Sequence, residues 1–215
     1  MLFGRSVYDV QKGLGRQLAR ERPVAADLVL AIPDSGNAAA LGYSRESGLD
    51  FEMGLVRNHY IGRTFIQNTQ LAREVGVKIK LNPVRSVIEG KRIIVVDDSL
   101  VRGTTSRKIV RMLRAAGAKE IHLRISSPPY RYPCFYGVDT PSPEHLIANR
   151  MSVPEIEKFI EVDSLAYLSC EGLVRVVTGG DTREGEGFCQ ACFNGDYRIP
   201  VYSLREKGKG AMEKK

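Results

Sequence analysis

Apolar runs and helical periods alternate along this chain. Leu28-Val29-Leu30-Ala31-Ile32 is a continuous apolar run that halts at Pro33-Asp34-Ser35-Gly36. Strands buried on both faces of a parallel sheet have this pattern. Asn37 to Glu46 carries small residues and no breaker except Gly42, which predicts a helix. Phe51 to Val56 reads as another strand. The clearest unit starts at Ile93. Ile93-Ile94-Val95-Val96 is a short β-branched strand, and a polar turn follows from Asp97 to Thr105. From Ser106 to Ala116 the period is helical, with Ile109, Leu113 and Ala116 on one side and Arg107, Arg111 and Arg114 on the other. Gly117 is placed to cap it. Ile121, Leu123 and Ile125 then alternate as the next strand, stopped by Ser126-Ser127-Pro128-Pro129.

This alternation predicts an α/β domain with a mostly parallel sheet flanked by helices. Ligands of such sheets bind at loops on the carboxyl ends of strands. The loop from Asp97 to Thr105 is one. Asn58 to Pro83 differs: it has weak periodicity and few large apolar residues after Phe65. It reads either as a lid or as an irregular segment with a helix around Gln70 to Val75.

Composition adds bounds. The chain has 215 residues, 43% hydrophobic and 27% charged, as one ordinary domain does. No apolar run reaches the roughly 20 residues of a membrane helix. The first residues lack the apolar stretch of a signal peptide, so the expectation is a cytoplasmic protein with no membrane partner. The net charge is +7, and residues 85–124 hold ten basic and four acidic residues. Such a concentration suggests either an anionic partner or a solvated helix face. A basic tail at 204–215 has no apolar pattern and is expected to fray.

Two adjacent acids after a buried strand call for chemistry. Asp97 and Asp98 repel each other, and small hydroxyl and glycine residues follow them. Gly103 lets the backbone approach a ligand. Ser99, Thr104 and Thr105 supply hydroxyls, and the next helix presents free N–H groups, together a phosphate cradle. It is not a Walker A loop, since no Gly-Lys-Ser/Thr follows. Carboxylates beside a phosphate suit a sugar phosphate: they accept from a vicinal diol or take part in holding Mg²⁺. Cys189-Gln-Ala-Cys192 has metal-ligand or redox spacing, weak by itself.

Val95-Val96-Asp97-Asp98-Ser99-Leu100-Val101-Arg102-Gly103-Thr104-Thr105 resembles the phosphoribosyl pyrophosphate (PRPP) motif of type I phosphoribosyltransferases. Within them, four further strings resemble the amidophosphoribosyltransferase family, over nearly the whole chain. These are Ala31-Ile32-Pro33-Asp34-Ser35-Gly36, Arg57-Asn58-His59-Tyr60-Ile61-Gly62-Arg63-Thr64-Phe65, Lys80-Leu81-Asn82-Pro83-Val84-Arg85 and Pro133-Cys134-Phe135-Tyr136-Gly137-Val138-Asp139. The resemblance implies the type I phosphoribosyltransferase fold over 1–203, with a Cys-x-x-Cys segment at 186–197. It implies that Asp97 and Asp98 contact the ribose hydroxyls and, with Ser35, Mg²⁺. Ser99, Val101, Arg102, Gly103, Thr104 and Thr105 would cradle the 5′-phosphate. Asp34, Ser35 and Gly36 would lie near the pyrophosphate, and Arg63 and Lys80 on a catalytic loop closing over PRPP. The implied reaction joins ammonia to C1 of the ribose, giving 5-phosphoribosylamine and opening purine synthesis.

Cys134, Cys189 and Cys192 match three ligands of the 4Fe–4S cluster in one branch of the family, and the fourth family ligand lies upstream of Met1. Cys170 matches no ligand and is expected to stay outside the group. The family's N-terminal glutaminase domain, with its nucleophilic cysteine, has no counterpart in this sequence. A separate glutaminase subunit, purine nucleotide inhibitors and a homo-oligomer are the implied partners, with no nucleic acid. Two competing readings are a non-catalytic PRPP-sensing regulator and a nucleobase phosphoribosyltransferase. The first would need a DNA-binding segment for which the chain has no room. The second fits poorly with Tyr60-Ile61-Gly62-Arg63-Thr64-Phe65 and the three cysteines.

Overall fold

The structure, a computed structural model, describes residues 4–58, 81–180 and 187–199. In chain order its elements are α1 (Val7–Glu21), β1 (Leu28–Ala31), α2 (Asn37–Ser47), β2 (Leu55–Arg57), β3 (Leu81–Pro83), α3 (Arg85–Ile88), β4 (Arg92–Asp97), α4 (Thr104–Ala115) and β5 (Glu120–Ile125). A 3₁₀ turn (Pro143–His145), α5 (Ile147–Arg150), α6 (Val153–Ile160), β6 (Ser164–Tyr167), α7 (Cys170–Thr178) and α8 (Ala191–Asn194) follow.

Four strands form a parallel sheet in the order β1-β4-β5-β6. Alternation within each strand divides the core. Ile93 and Val95 of β4 join Leu28, Leu30, Ile121 and Leu123 on one face, packed against Ile109 and Leu113 of α4 and Ile156 and Ile160 of α6. Ile94 and Val96 join Val29 and Ala31 on the other, against Leu18 of α1 and Ala40 and Tyr43 of α2. Both faces are covered, which is why β1 and β4 read as continuous apolar runs. β2 and β3 pair antiparallel as a separate ribbon. The strand expected over Phe51 to Val56 is shorter than that. Phe51 makes only an isolated bridge to Val29, and pairing resumes at Leu55 in the ribbon.

Helices α1 and α2 touch backbone to backbone. A Cβ on Gly15 would lie 1.8 Å from the Ala39 carbonyl oxygen, and one on Gly42 would lie 2.0 Å from that of Lys12. Tyr43 is fully buried beneath this crossing, and its hydroxyl donates to the Arg22 carbonyl at 2.9 Å. The buried Arg124 guanidinium donates to the same carbonyl at 3.1 Å and to Ser164 Oγ at 3.0 Å, so a buried cation is satisfied by neutral oxygens. No helix among the described residues is long and apolar enough to cross a membrane.

Candidate active site

Parallel pairing of β1 with β4 in the register Ala31↔Val96 brings two loops to one edge of the sheet. The amide of Ile32 donates to the Val96 carbonyl at 2.9 Å, carrying β1 one residue further. Pro33-Asp34-Ser35-Gly36 then turns into α2, with a cis peptide between Pro33 and Asp34. A Cβ on Gly36 would stand 2.6 Å from the Val96 carbonyl oxygen, so only glycine lets this loop lie so close to β4. Asp34 accepts from Arg57 Nη1 at 2.5 Å, tying the loop to the end of β2. A cavity of about 290 Å³ opens beside it, lined by Asp34 and Arg57 together with Tyr8, Leu41, Met53 and Val56.

Across from this loop stand Asp97 and Asp98. The Asp97 carbonyl is fixed by the amide of Ser126 at 2.9 Å and its hydroxyl at 3.2 Å. Ser99 Oγ donates to Asp98 at 3.2 Å. Burial at the sheet edge, and then the charge of Asp98, push the Asp97 carboxyl up to about 7. No cation among the described residues relieves it. Buried Leu100 anchors the loop, and Val101 accepts from the amide of Ile147 at 2.8 Å.

Gly103 closes the turn in the left-handed region, with φ +74°, and forms the N-cap of α4. No side chain caps α4 and no acid sits in its first turn, so its leading N–H groups stay open to an anion. Ser99, Arg102, Thr104 and Thr105 are exposed around it. The edge thus joins a carboxylate pair to a positive helix end. It can accept hydroxyls at one point and hold a phosphate at the next.

Of the sequence-derived candidates, Asp34, Ser35, Gly36 and Asp97 to Thr105 lie on these two adjacent loops. Arg63 and Lys80, like the lid reading and the helix around Gln70 to Val75, lie outside the described residues. Sequence reasoning gave no role to Arg57, Ser126 or the cavity. The Arg57–Asp34 pair joins residues far apart in sequence and shows no local signal.

The concentrated positive charge has a structural destination. Arg85 pairs with Glu89, Arg92 with Asp27, Arg107 and Arg111 with Glu161, and Arg114 with Asp163. Five of the ten basic residues counted there are therefore ion-paired within the chain, and Arg124 is buried.

A second centre forms where residues 187–199 dock on residues 130–136. Amides of Arg131 and Tyr132 each donate to the Cys192 carbonyl at 3.0 Å. Tyr197 donates to the Pro133 carbonyl at 2.7 Å, and its ring meets Phe135 edge-on at 5.3 Å. Cys134 is held between them, its amide donating to Thr140 Oγ1 at 2.9 Å. Burial raises the Cys192 thiol to about 11, with Cys189, Cys134 and Cys170 adding to the effect. Among the described residues no three His, Cys, Asp or Glu side chains surround a point suited to a single metal ion. Cys170 lies within electrostatic reach of Cys192. His122 is buried and bonds Ser164, while His145 is exposed, in line with structural and surface roles.

Fold and site together define an α/β domain with a carboxylate pair and an open helix start at the carboxyl edge of a parallel sheet, and comparison with known proteins gives its family. Residues 11–126 match the phosphoribosyl transferase domain, and the chain belongs to that family. Its relatives include amidophosphoribosyltransferase 1, chloroplastic, of Arabidopsis thaliana, 55% identical over 98% of this chain and 36% of that protein. The amidophosphoribosyltransferase of Synechocystis sp. is 56% identical over 97% of this chain and 41% of its own length. Among solved structures, the glutamine phosphoribosylpyrophosphate amidotransferase from B. subtilis complexed with ADP and GMP superposes with a TM-score of 0.86. It is 50% identical, covering 95% of this chain and 45% of that one. The chain therefore spans well under half the length of these relatives.

Proposed function

We propose that this chain binds PRPP and transfers ammonia to C1 of its ribose, giving 5-phosphoribosylamine and pyrophosphate, the first step of purine synthesis. The observation that carries this is Asp97-Asp98 at the end of β4, next to the uncapped start of α4. Similarity to amidophosphoribosyltransferases selects the acceptor.

The 5′-phosphate takes the N–H groups of the first turn of α4 and the hydroxyls of Thr104 and Thr105. Asp97 and Asp98 accept from the ribose diol. Their negative charge stabilises the positive charge that builds on the ring as the C1–oxygen bond to pyrophosphate breaks. The ammonia lone pair forms the C1–nitrogen bond, and the ammonium loses a proton to solvent. No covalent protein nucleophile is needed, since positioning and charge neutralisation carry the step. A carboxylate pair without a described counter-charge fits Mg²⁺, and Asp97, Asp98 and Ser35 would hold it. Held there, Mg²⁺ would offset negative charge on the departing pyrophosphate. Arg63 and Lys80 would close over PRPP.

Cys134, Cys189 and Cys192 would hold a 4Fe–4S cluster. The transfer moves no electrons between substrates, so a cluster held there would serve as a staple between residues 130–136 and 187–199. A glutaminase subunit would supply ammonia, purine nucleotides would inhibit, and the chain would assemble as a homo-oligomer. The test is pyrophosphate release by the purified chain with PRPP, Mg²⁺ and ammonia. Release that requires a nucleobase instead of ammonia rejects the reading.

A further inference from the structure

Ser126 stands one residue beyond β5, where the chain leaves the parallel sheet. It is 5% exposed, whereas Asp98 and Ser99 on the loop after β4 are exposed. Both donors of Ser126 act on one atom. Its amide donates to the Asp97 carbonyl at 2.9 Å, and its hydroxyl donates to the same oxygen at 3.2 Å. The amide contact carries the β4–β5 pairing one step past Asp97↔Ile125, the last pair of the register. The hydroxyl contact is additional to the sheet.

Ser126 is itself held from the opposite side. The Ile125 carbonyl accepts from the Leu168 amide at 3.0 Å. The peptide joining Ile125 to Ser126 therefore bonds the continuation of β6 through its oxygen and β4 through its N–H. An exposed loop is thus tied to a buried, doubly bonded point of the sheet.

The Asp97 carbonyl and the Asp98 N–H belong to one peptide unit. That N–H donates to Oδ1 of Asp97 at 2.9 Å. Both ends of the peptide are therefore committed, the oxygen to Ser126 and the N–H to the carboxylate. Donation to the oxygen polarises the peptide and strengthens its N–H as a donor, because hydrogen bonds in series reinforce one another. The plane of this peptide also sets the directions in which the two acidic side chains leave the backbone. A rotation here would turn both carboxylates relative to the open start of α4.

We propose that the Ser126 hydroxyl is a positioning group for the transfer reaction, holding the Asp97–Asp98 peptide so that both carboxylates meet the ribose in one fixed arrangement. The proposal rests on the PRPP reading given above. Ser126 acts through the acidic pair and takes no part in the phosphate cradle, so capture of PRPP does not depend on it. Charge stabilisation at C1 depends on where the carboxylates stand as the bond to pyrophosphate breaks, so losing the hydroxyl weakens the transition state more than the bound substrate.

Ser44 supplies the comparison. It is 8% exposed, and its hydroxyl likewise donates to a backbone carbonyl, that of Leu49 at 2.7 Å, in the last turn of α2. Pyrophosphate release with PRPP, Mg²⁺ and ammonia is measured for the parent chain, Ser126→Ala, Ser44→Ala, Asp97→Asn and Ser126→Ala combined with Asp97→Asn, with melting temperatures to confirm that each is folded. Ser126→Ala should lower kcat about threefold to tenfold, the weight of one hydrogen bond, with KM for PRPP nearly unchanged. Ser44→Ala should lose melting temperature but not kcat. In the Asp97→Asn background the Ser126 change should matter less, since the two residues act as a unit. Exchange of the Asp98 amide, followed by NMR without substrate, should be faster in Ser126→Ala than in Ser44→Ala. If Ser126→Ala keeps the parent's kcat, lowers it equally with and without Asp97, or leaves Asp98 exchange unchanged, the assignment is wrong and the PRPP reading stands. If the parent releases no pyrophosphate with ammonia, that reading and this role fall together, even where amide exchange shows the peptide held.

Discussion

The amide of Asp98 donates to Oδ1 of Asp97 at 2.9 Å, so the peptide that links the two acids also orients the first of them. The carboxylates stay close despite their repulsion, and Asp97 meets both burial and a like charge. Its proton is held up to about 7, against an ordinary value of 3.8. Between those values the folded chain holds a proton that the unfolded chain has lost, so stability falls as pH rises through this window.

Asp97→Asn removes that slope. Its melting temperature should exceed the parent's above pH 7 and approach it below pH 4, in metal-free buffer. Its rate of PRPP turnover should fall by about 10²-fold or more, since a charge beside the reacting ribose is lost. Calorimetry across pH and a pyrophosphate assay check the two halves. A variant that is neither more stable at pH 8 nor slower would show that Asp97 stands in an ordinary solvated position.

Gly103 is required for two reasons at once. Its φ of +74° disfavours any side chain, and a Cβ would stand 2.6 Å from Ile147 Cδ1. Gly103→Ala should cost about 1–2 kcal/mol from the backbone alone, with the contact adding to it. The start of α4 should shift, so KM for PRPP should rise more than the melting temperature falls. Urea unfolding beside steady-state kinetics gives the comparison.

The close crossing of α1 and α2 predicts a larger effect away from the site. At Gly42 an added methyl meets the Lys12 backbone, which cannot rotate away as a side chain would. Gly42→Ala should destabilise by about 3 kcal/mol or more. A midpoint of urea unfolding unchanged from the parent would show that the helices can separate freely.

These cases mark what could be read in the sequence and what could not. The unit from β4 through α4 to β5 was legible because its signals are local: a β-branched run, a helical period, then alternation. Helix α2 was legible for the same reason. Helix α1, which forms much of the second core layer, passed unnoticed, because Gly13 and Gly15 weaken its helical signal and only tertiary packing against α2 explains Gly15. The basic stretch that includes the arginine-bearing face of α4 could be read as an anion site or as a solvated helix face. Its arginines instead reach Glu161 and Asp163, some 50 residues away, and no local pattern announces such pairs. The two loops of the candidate site could be named from motifs, but their adjacency follows from the β1–β4 pairing, which skips the intervening ribbon.

Glu161 shows that hidden pairing most clearly. Though not glycine, it has φ +69°, and its carboxylate meets both Arg107 and Arg111. Those two arginines hold its pKa down to about 2. The contribution is present above its ordinary value of 4.5 and lost as pH falls through about 2. Glu161→Gln should melt slightly below the parent at pH 7, with the gap closing toward pH 2. The pair is exposed, so the effect is small and shrinks in high salt.

The last expectation concerns the source of nitrogen. Releasing ammonia from glutamine needs an activated nucleophile, a thiol or hydroxyl beside a base. Among the described residues no thiol bonds a histidine. Ser164 does bond His122, yet the same hydroxyl accepts from the buried Arg124, and His122 lies within the sheet, closed to substrate. Ser142 bonds His145 at 3.0 Å, but both are exposed on a 3₁₀ turn, and Glu144 contacts the serine and not the histidine. A nucleophile needs its base both oriented by a third group and open to substrate: Glu120 stands 3.3 Å from His122 Nε2, but that histidine is buried, and among the described residues no carboxylate hydrogen-bonds His145. The chain should therefore turn over PRPP with ammonia and Mg²⁺ but not with glutamine, and glutamine should become effective when a glutaminase subunit is added. The measurement is glutamate and pyrophosphate from the purified chain incubated with PRPP, Mg²⁺ and glutamine. Glutamate appearing in step with pyrophosphate, with no other protein present, would mean that this chain carries its own amidase site.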